Sequence, residues 1–522
     1  MKKVQSQDSK HPFGGGSFYN LLNKDIKELN TIILSLFIII FLFSVGFISY
    51  KITNSYALFT DEVTGVKTIE ATVKLSNLDT SGANEPVLDS SMIPVYYDES
   101  SSSWRKADVK NHNDKYKWYD YDNKMWANSV TVSETNRSKY LSANLGTEIP
   151  MDDILTMEVW IPRYKYKVFN YNSDGTKTSS PQQIEITFEK ENKNTSEITC
   201  SDSISGTDGK ASEACKLKST NATCTDSLCN NKNYTHPAFT FGNEEIKGFW
   251  IGKFELTGTI SSITTKPNLS SIRNQSVSTF ETNIMNMKNI GNQYGLNTTT
   301  DTHMIKNSEW GAVAYLSHSK YGTCTSGSCT EIGINNNSNF ITGCGSSPSS
   351  SSSATCNSYN RSKGMLASTT FNIYGVYDMS GGAVDYVMGN MIYLDKTIMI
   401  SGFALDRNSG YTGEVPYVKA SNETLSWSLF SGVTYPEKKY YNIYSYGSNA
   451  KNSTKLGDAV KEVQTGTNVG WYSVFNYSLE KQRPWFRRGG GYSGGNSTGI
   501  FYAGYEYGSA LDGASTRFII SD

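Results

Sequence analysis

The chain has 522 residues, 37% of them hydrophobic and 19% charged, with a formal net charge of -1; this length allows about three domains, or one large unit with appendages. So even a charge balance supplies no basic field for nucleic acid, which is excluded as a partner, and none for general attraction to an anionic membrane surface. Its 44 Gly, 34 Tyr and 9 Trp lie among Asn, Ser and Thr, a composition that favours strands and long polar loops and excludes an all-helical chain.

Residues 1 to 30 read as a cytoplasmic tail and residues 31 to 50 as a transmembrane signal-anchor. The stretch "TIILSLFIIIFLFSVGFIS" runs nineteen residues without a charge, roughly 28 Å at a helical rise and enough to cross a bilayer. A cleaved signal peptide is the alternative, but it needs a short basic start and a shorter apolar core, whereas thirty residues precede this one. Lys2, Lys3, Lys10, Lys24 and Lys27 lie before the span and Lys51 after it, which places the N-terminus in the cytoplasm and the C-terminal bulk outside the cell. The expected localisation is therefore the cell membrane, crossed once.

Residues 51 to 90 form an expected β-rich stalk, in which Ile69, Ala71, Val73 and Leu75 alternate with polar residues at strand period. The stretch "YALFTDEVTG" within it resembles the start of mature camelysin and TasA-like surface proteins of Gram-positive bacteria over about twenty residues.

Residues 91 to 233 are expected to be a β-rich leading segment. "KWYDYDNKMWANSVTV" (117–132) and "MEVWIPRYKYKVFNYNSDGTKTSSPQQIEITFE" (157–189) both read as strands, the second with a hairpin turn at "NSDG" and Gly175 at positive φ. "NYNSDG" also imitates the opening of an EF-hand loop, but Pro181 stands where the bidentate Glu must be, so that motif is rejected.

The eight cysteines fall into sequential pairs, Cys200 with Cys215, Cys224 with Cys229, Cys324 with Cys329, and Cys344 with Cys356. Four loop staples are expected in an oxidising exterior, although spacing alone leaves the connectivity open. A zinc site from the first four lacks any C-x2-C and any nearby histidine. Residues 190 to 235 and 323 to 360 are polar and without periodicity, as surface insertions are. The abundant Asn-x-Ser/Thr sequons arise by chance in so polar a chain.

From residue 234 to 522 four landmarks occur in order. "FWIGKFELTG" (249–258) places Glu255 after an alternating apolar run, and "HMIKNSEWGAVAYLSHSKYG" (303–322) reads as a helix with Ser308 as N-cap and Trp310, Val313, Ala314 and Leu316 on an apolar stripe. "NIYGVYDMSGGAVDYVMGN" (372–390) is the most specific, and "RRGGGYSGG" (487–495) with "STRFIISD" (515–522) completes the set. Together they resemble the formylglycine-generating enzyme, or sulfatase-modifying factor, family. The resemblance implies an α+β, C-type-lectin-like domain of low regular secondary structure, here preceded by the single transmembrane helix.

The resemblance also implies chemistry that these residues do not supply. That family's oxidase activity uses two cysteines just after the R-G-G-S-[WF] motif to bind copper, and no cysteine follows Cys356. A related branch holds non-haem iron with histidines, yet His112, His236, His303 and His318 show no metal-ligand spacing. For the family's structural calcium, Asp385 keeps a carboxylate, but Gly382 replaces the amide and Val384 and Tyr386 replace two tryptophans. No cofactor, metal or catalytic residue is expected, and the chain reads as a non-enzyme.

"GYSGG" fits the nucleophile-elbow pattern around Ser493, but no histidine lies beyond His318 and the glycines that follow cannot open a helix. Nor does "GGGYSGG" continue into the G-K-[ST] of a phosphate-binding loop. Instead Tyr492, Ser493, Asn496, Ser497, Tyr502, Tyr505, Glu506, Tyr507 and Asp512 form a recognition mixture of rigid aromatics and small polar groups. Phe501 and Tyr505, at alternating spacing, also suit packing. By resemblance to phage receptor-binding tips and to variable proteins diversified by retroelements, the expected function is that of a membrane-anchored surface protein binding an extracellular protein or glycan. A divergent enzyme of the same fold and a pilus-like or matrix-like subunit are the alternatives.

Overall fold

The computed structural model describes residues 76–171, 177–205, 210–289, 293–391, 437–444, 455–479, 483 and 485–521. The chain divides into two compact units, Met1–Asn77 and Leu78–Asp522, and the described strands and helices belong to the second. The proposed span at 31–50, the strand through Ile69 to Leu75 and the "NSDG" turn lie outside the described residues.

The structure corrects two expectations. It is strand-rich and only 15% helical, so the α+β, C-type-lectin-like assignment does not hold. Among the described residues no helix is long and apolar enough to cross a membrane, so single-pass anchoring in the cell membrane has no structural support and is set aside. The physical reason for the strand content is local: short alternating runs of β-branched and aromatic residues are repeatedly interrupted by Gly, Asn and Ser, which leaves little length for helices.

Seven strands form the larger sheet, in the order Asp301–Met304, Phe518–Ser521, Gly248–Gly252, Ile154–Pro162, Asn128–Val132, Ile93–Asp98 and Ser103–Lys106, with every neighbour antiparallel. The first landmark and the closing segment are thus adjacent strands, with Trp250 opposite Ile520 on one side and Trp160 on the other. Both indoles are buried, with Trp118, Trp126, Trp310, Trp471 and Trp485.

Only the last part of 117–132 is a strand. The Asp120 carboxylate accepts the Asn123 N–H and caps a 3-10 turn at Tyr121–Asn123, which Lys124 leaves in the left-handed conformation at φ 60°. This side-chain cap outcompetes the aromatic β-propensity. Conversely, the polar stretch from residue 190 contains an antiparallel hairpin, Ile198–Ser205 with Lys210–Leu217, whose facing residues include Cys200 and Cys215.

The smaller sheet places Val384–Met391 between Asn442–Tyr444, which is parallel to it, and Trp485–Arg488, which is antiparallel; Ala503–Glu506 lies beyond the latter. Residues 384 and 385 also pair with Ala514–Ser515. Against this sheet packs the helix Asn307–Ser317, buried along its whole length and not merely along one stripe. Its N-cap is Lys306 and not Ser308, because the Lys306 N–H is taken by the Glu309 carboxylate at 2.7 Å. Gly311 is required by close approach: a Cβ there would lie 2.0 Å from the Gly457 carbonyl oxygen.

All four expected disulfides are present, Cys200–Cys215, Cys224–Cys229, Cys324–Cys329 and Cys344–Cys356, and no cysteine is free. Thiol titration of the denatured, unreduced protein is expected to find no reactive thiol. The Cys200–Cys215 bridge closes a separation of 15 residues and Cys224–Cys229 one of 5, so replacing the first pair with Ser should cost about 3 kcal/mol and the second about 2. Denaturant titration of the two variants checks the order, and equal or reversed losses would contradict the loop-closure account.

Candidate functional site, a C-terminal aromatic surface

The acidic residues of the landmarks meet in the interior, around Arg517. Asp385 receives its guanidinium Nε at 2.9 Å, and both side chains are buried. Glu255 accepts the Ala383 N–H at 3.0 Å and the Ser271 hydroxyl, while Asp378 accepts from Asn335 Nδ2 at 2.8 Å and from the Gly343 N–H. Burial pushes Asp385 up to about 6 against the pull of Arg517, and burial with the neighbouring Asp385 and Asp378 carboxylates raises Glu255 well above its ordinary value. Gly382 adopts φ +67°, and a Cβ there would lie 2.4 Å from a Glu255 oxygen, so the amide side chain of the resembled family cannot be accommodated. A guanidinium bonded to Asp385 opposes a dication, and the family's calcium does not fit these residues.

Copper does not fit either, since every cysteine is bridged. Among the described residues two groups of side chains have metal-ligand proximity, His318 with Cys324 and Cys329, and Glu213 with Cys200 and Cys215. In both, the sulfurs belong to disulfides and offer no thiolate. The buried histidines lie apart. His236 sits among Tyr164, Tyr166, Phe239 and Tyr315 rings. His303 bridges Asp301 at 2.6 Å and Glu309 at 3.1 Å. His318 meets the Tyr472 hydroxyl at 3.1 Å. Burial lowers His236 and His318 to about 3, whereas for His303 the cost of burial is outweighed by Glu309 and Asp301, which hold it up at about 9.

The recognition residues follow the second sheet outward. Gly489 and Gly490 both have positive φ, 80° and 72°, and turn the chain out of the strand Trp485–Arg488 into the loop that carries Tyr492 to Ser497. Gly490 has no alternative, since a Cβ would meet Thr498 at 2.8 Å. Thr498 in turn closes the loop by donating its hydroxyl to the Gly491 carbonyl at 3.0 Å. Ser493, Asn496 and Asp512 are exposed, Tyr492, Ser497, Tyr505, Glu506 and Tyr507 are half-buried, and Tyr502 faces inward at 8% exposure. The histidine partners that a serine nucleophile needs are engaged elsewhere: His236, His303 and His318 are all buried among the rings and carboxylates just described.

Two aromatic groupings draw these residues together with partners that sequence reasoning did not single out. Tyr492 packs edge-on against Phe340 at 4.8 Å, the Arg273 guanidinium lies 4.0 Å from the Phe340 ring, and Arg273 binds Asp512 at 3.0 Å. Separately, Tyr505 packs against Tyr477 at 5.6 Å, Tyr477 against Phe475 at 5.5 Å, and the Arg483 guanidinium lies 4.3 Å from the Tyr505 ring. Backbone bonds join this row to the loop: the Phe475 N–H donates to Ser497, the Ala503 N–H to Phe475, and the Tyr477 N–H to Ala503. The segment around Asn476 therefore extends the smaller sheet by one more chain. Phe475 is 43% exposed. In the structure "SVFNY" turns Ser473, Phe475 and Tyr477 outward and buries Val474 and Asn476, an order that does not follow apolar and polar alternation and so left no periodic signal.

Beneath the row the support is rigid. Trp310 donates its indole N–H to Ile500 at 2.8 Å, and Phe501 packs against Trp471 and His318. Glu331 is buried there, with one oxygen bonded to the Ile332 N–H at 2.9 Å and the other unpartnered, and burial pushes it up to about 8. Tyr472 and Ser473 hold φ of 60° and 68°; two consecutive non-glycine residues in the left-handed region cost of order 1–3 kcal/mol each.

No protein-family model and no curated protein matches this chain.

Proposed function

We propose that this protein is a recognition protein without oxidase activity, which binds a protein ligand through the row Phe475, Tyr477, Tyr505 and Arg483 and the adjoining loop of Tyr492 to Ser497. The observation that carries this reading is the contiguous ring row beside the smaller sheet, with Phe475 exposed and Tyr477 and Tyr505 half-buried. Three aromatics and a stacked guanidinium, with Phe475 and Tyr477 tied by backbone bonds to Ser497 and Ala503, suit contact with a protein partner. The Ser and Asn side chains of the loop add adaptable hydrogen bonds at its rim. The four disulfides support assembly in an oxidising environment.

Glu255, Asp378 and Asp385, the acidic residues of the landmarks that resemble the sulfatase-modifying family, are held in the interior around Arg517 as structural groups. The bridged cysteines support the loss of that family's copper chemistry. A matrix-like subunit would self-associate through this surface, whereas a recognition protein stays monomeric in the absence of its ligand.

The full chain, immobilised and probed with a displayed library of surface proteins, is expected to select ligands whose binding falls about 10- to 100-fold in a Phe475→Ala, Tyr477→Ala, Tyr505→Ala variant, as central aromatic anchors do. Unchanged thermal unfolding shows that the variant is folded. Ligands selected equally by parent and variant would remove the ring row from the site. Stoichiometric copper or iron in the purified protein, with oxygen consumption on a cysteine-containing peptide, would overturn the non-enzymatic reading.

A further inference from the structure

Where the helix Asn307–Ser317 ends, it brings an imidazole against a pair of sulfurs. His318 is its C-cap residue, and the spacing onward is H-x5-C-x4-C through Cys324 and Cys329. A ring nitrogen of His318 and the two sulfurs all lie within 4.8 Å of one another. His318 and Cys324 are 2% and 1% exposed, whereas Cys329 is half-buried and Thr325 to Ser328 are exposed. The cluster therefore has a closed side and an open one. Its closed side is held in place: the Cys324 N–H donates to the Ser319 carbonyl at 3.2 Å, and the Lys124 ammonium to the Cys324 carbonyl at 2.9 Å.

While Cys324 and Cys329 are bridged, neither sulfur is a thiolate. A dithiol reductant changes that. One of its thiolates attacks a sulfur of the bridge, the S–S bond breaks, and its second thiol resolves the mixed disulfide, leaving two cysteine thiols and a cyclic, oxidised reductant. Both thiols lose their protons to solvent when a metal binds. Zinc–sulfur bonds of about 2.3 Å in a tetrahedron set the sulfurs roughly 2 Å farther apart than in a disulfide, a shift for the exposed Thr325–Ser328 turn to absorb. The imidazole is already oriented. The Tyr472 hydroxyl donates its one proton to the Cys329 carbonyl at 3.2 Å, so its oxygen accepts from His318 Nε2 at 3.1 Å, which leaves the lone pair on Nδ1. The group at Cys200 and Cys215 lacks these features: its third member, Glu213, accepts from the Leu456 N–H at 3.2 Å and faces the Lys461 ammonium at 3.9 Å. Two thiolates and an imidazole select zinc, and three protein ligands leave the fourth position to water. We propose that the reduced chain binds one zinc ion through His318, Cys324 and Cys329, so that this site exchanges a disulfide for a metal.

The full chain, reduced with dithiothreitol and desalted without oxygen, is titrated with cobalt(II), which reports a tetrahedral thiolate site by intense visible bands and by charge transfer in the near ultraviolet. One bound equivalent that zinc displaces is expected in the reduced chain, and none in the bridged one. His318→Phe keeps a ring against Trp471 and Phe501 and deletes the ligand, so the bands should be lost. Tyr472→Phe removes only the outer partner of His318 and should weaken zinc about 10-fold. Where full reduction unfolds the chain, Cys329→Asp decides. It leaves the other three disulfides closed, needs no reductant, and offers His318, one thiolate and a carboxylate to the same ion, so cobalt should bind with a single-thiolate band. No cobalt on the folded reduced chain or on Cys329→Asp, or cobalt binding that His318→Phe leaves unchanged, would overturn the assignment.

Discussion

Arg517→Met is expected to lower the free energy of unfolding by about 3–5 kcal/mol at pH 8, the cost of leaving a buried charge without its partner. Arg517 is fully buried, and its guanidinium is bonded to Asp385 with Glu255 and Asp378 close by. Methionine fills much the same volume, so the loss measures charge and hydrogen bonding more than packing. The pH dependence distinguishes this account from a packing defect. Asp385 already titrates at about 6 with the arginine present, and without it the carboxyl takes up its proton more readily still. The deficit should therefore shrink when the same denaturant titration is run at pH 5. A deficit equal at pH 5 and pH 8 would mean that the arginine acts by volume and that the acidic landmarks do not depend on it.

Glu331→Gln has the opposite sign. Burial pushes the Glu331 carboxyl up to about 8 from its ordinary value of 4.5, so the folded state binds the proton more tightly than the unfolded one. That contribution is fully present below pH about 4.5 and is lost as pH rises through about 8. Glutamine keeps an oxygen for the Ile332 N–H and removes the charge, so the variant should match the parent at pH 5 and exceed it by roughly 2–5 kcal/mol at pH 9. Glu158, Glu281 and Glu462, each pushed to about 7 chiefly by burial, and His303 at about 9 also lose stabilisation as pH rises. His236 and His318, lowered to about 3 by burial, have the reverse dependence and cost stability as pH falls below their ordinary value of 6.5. Chemical denaturation of parent and variant across pH 5 to 9 checks the difference, and two parallel profiles would show that Glu331 is not titrating in the folded interior.

Elements governed by local chemistry were legible. The disulfide pairs follow from cysteines close in sequence, the central helix from the stripe of Trp310, Val313, Ala314 and Leu316, and the turn after Arg488 from consecutive glycines. The hairpin of Ile198–Ser205 with Lys210–Leu217 was not, because its pairing comes from backbone hydrogen bonds and a cross-strand disulfide that leave little apolar alternation to see. Ser308 failed as a cap for a related reason: Glu309 reaches back to the Lys306 N–H and sets the helix start one residue before Ser308. Of the recognition residues, Tyr505 was visible as an aromatic at strand spacing, but its company was not. Phe475, Tyr477 and Arg483 lie at least 22 residues earlier in the chain and meet it only because the segment at Asn476 pairs alongside Ala503.

By itself the amino-acid order determined what is set by neighbours in the chain: strand-rich composition, the glycine-framed loop at Tyr492 to Ser497, the four cysteine pairs, and the absence of any cysteine after Cys356. Only the tertiary structure decided which distant groups share an environment. It brought three landmark carboxylates to one arginine and buried Tyr502 while leaving Phe475 in solvent. The reason is physical. Propensity and capping act over a few residues, whereas burial, hydrogen-bond satisfaction and the interaction of charges depend on separations in space that chain distance does not encode.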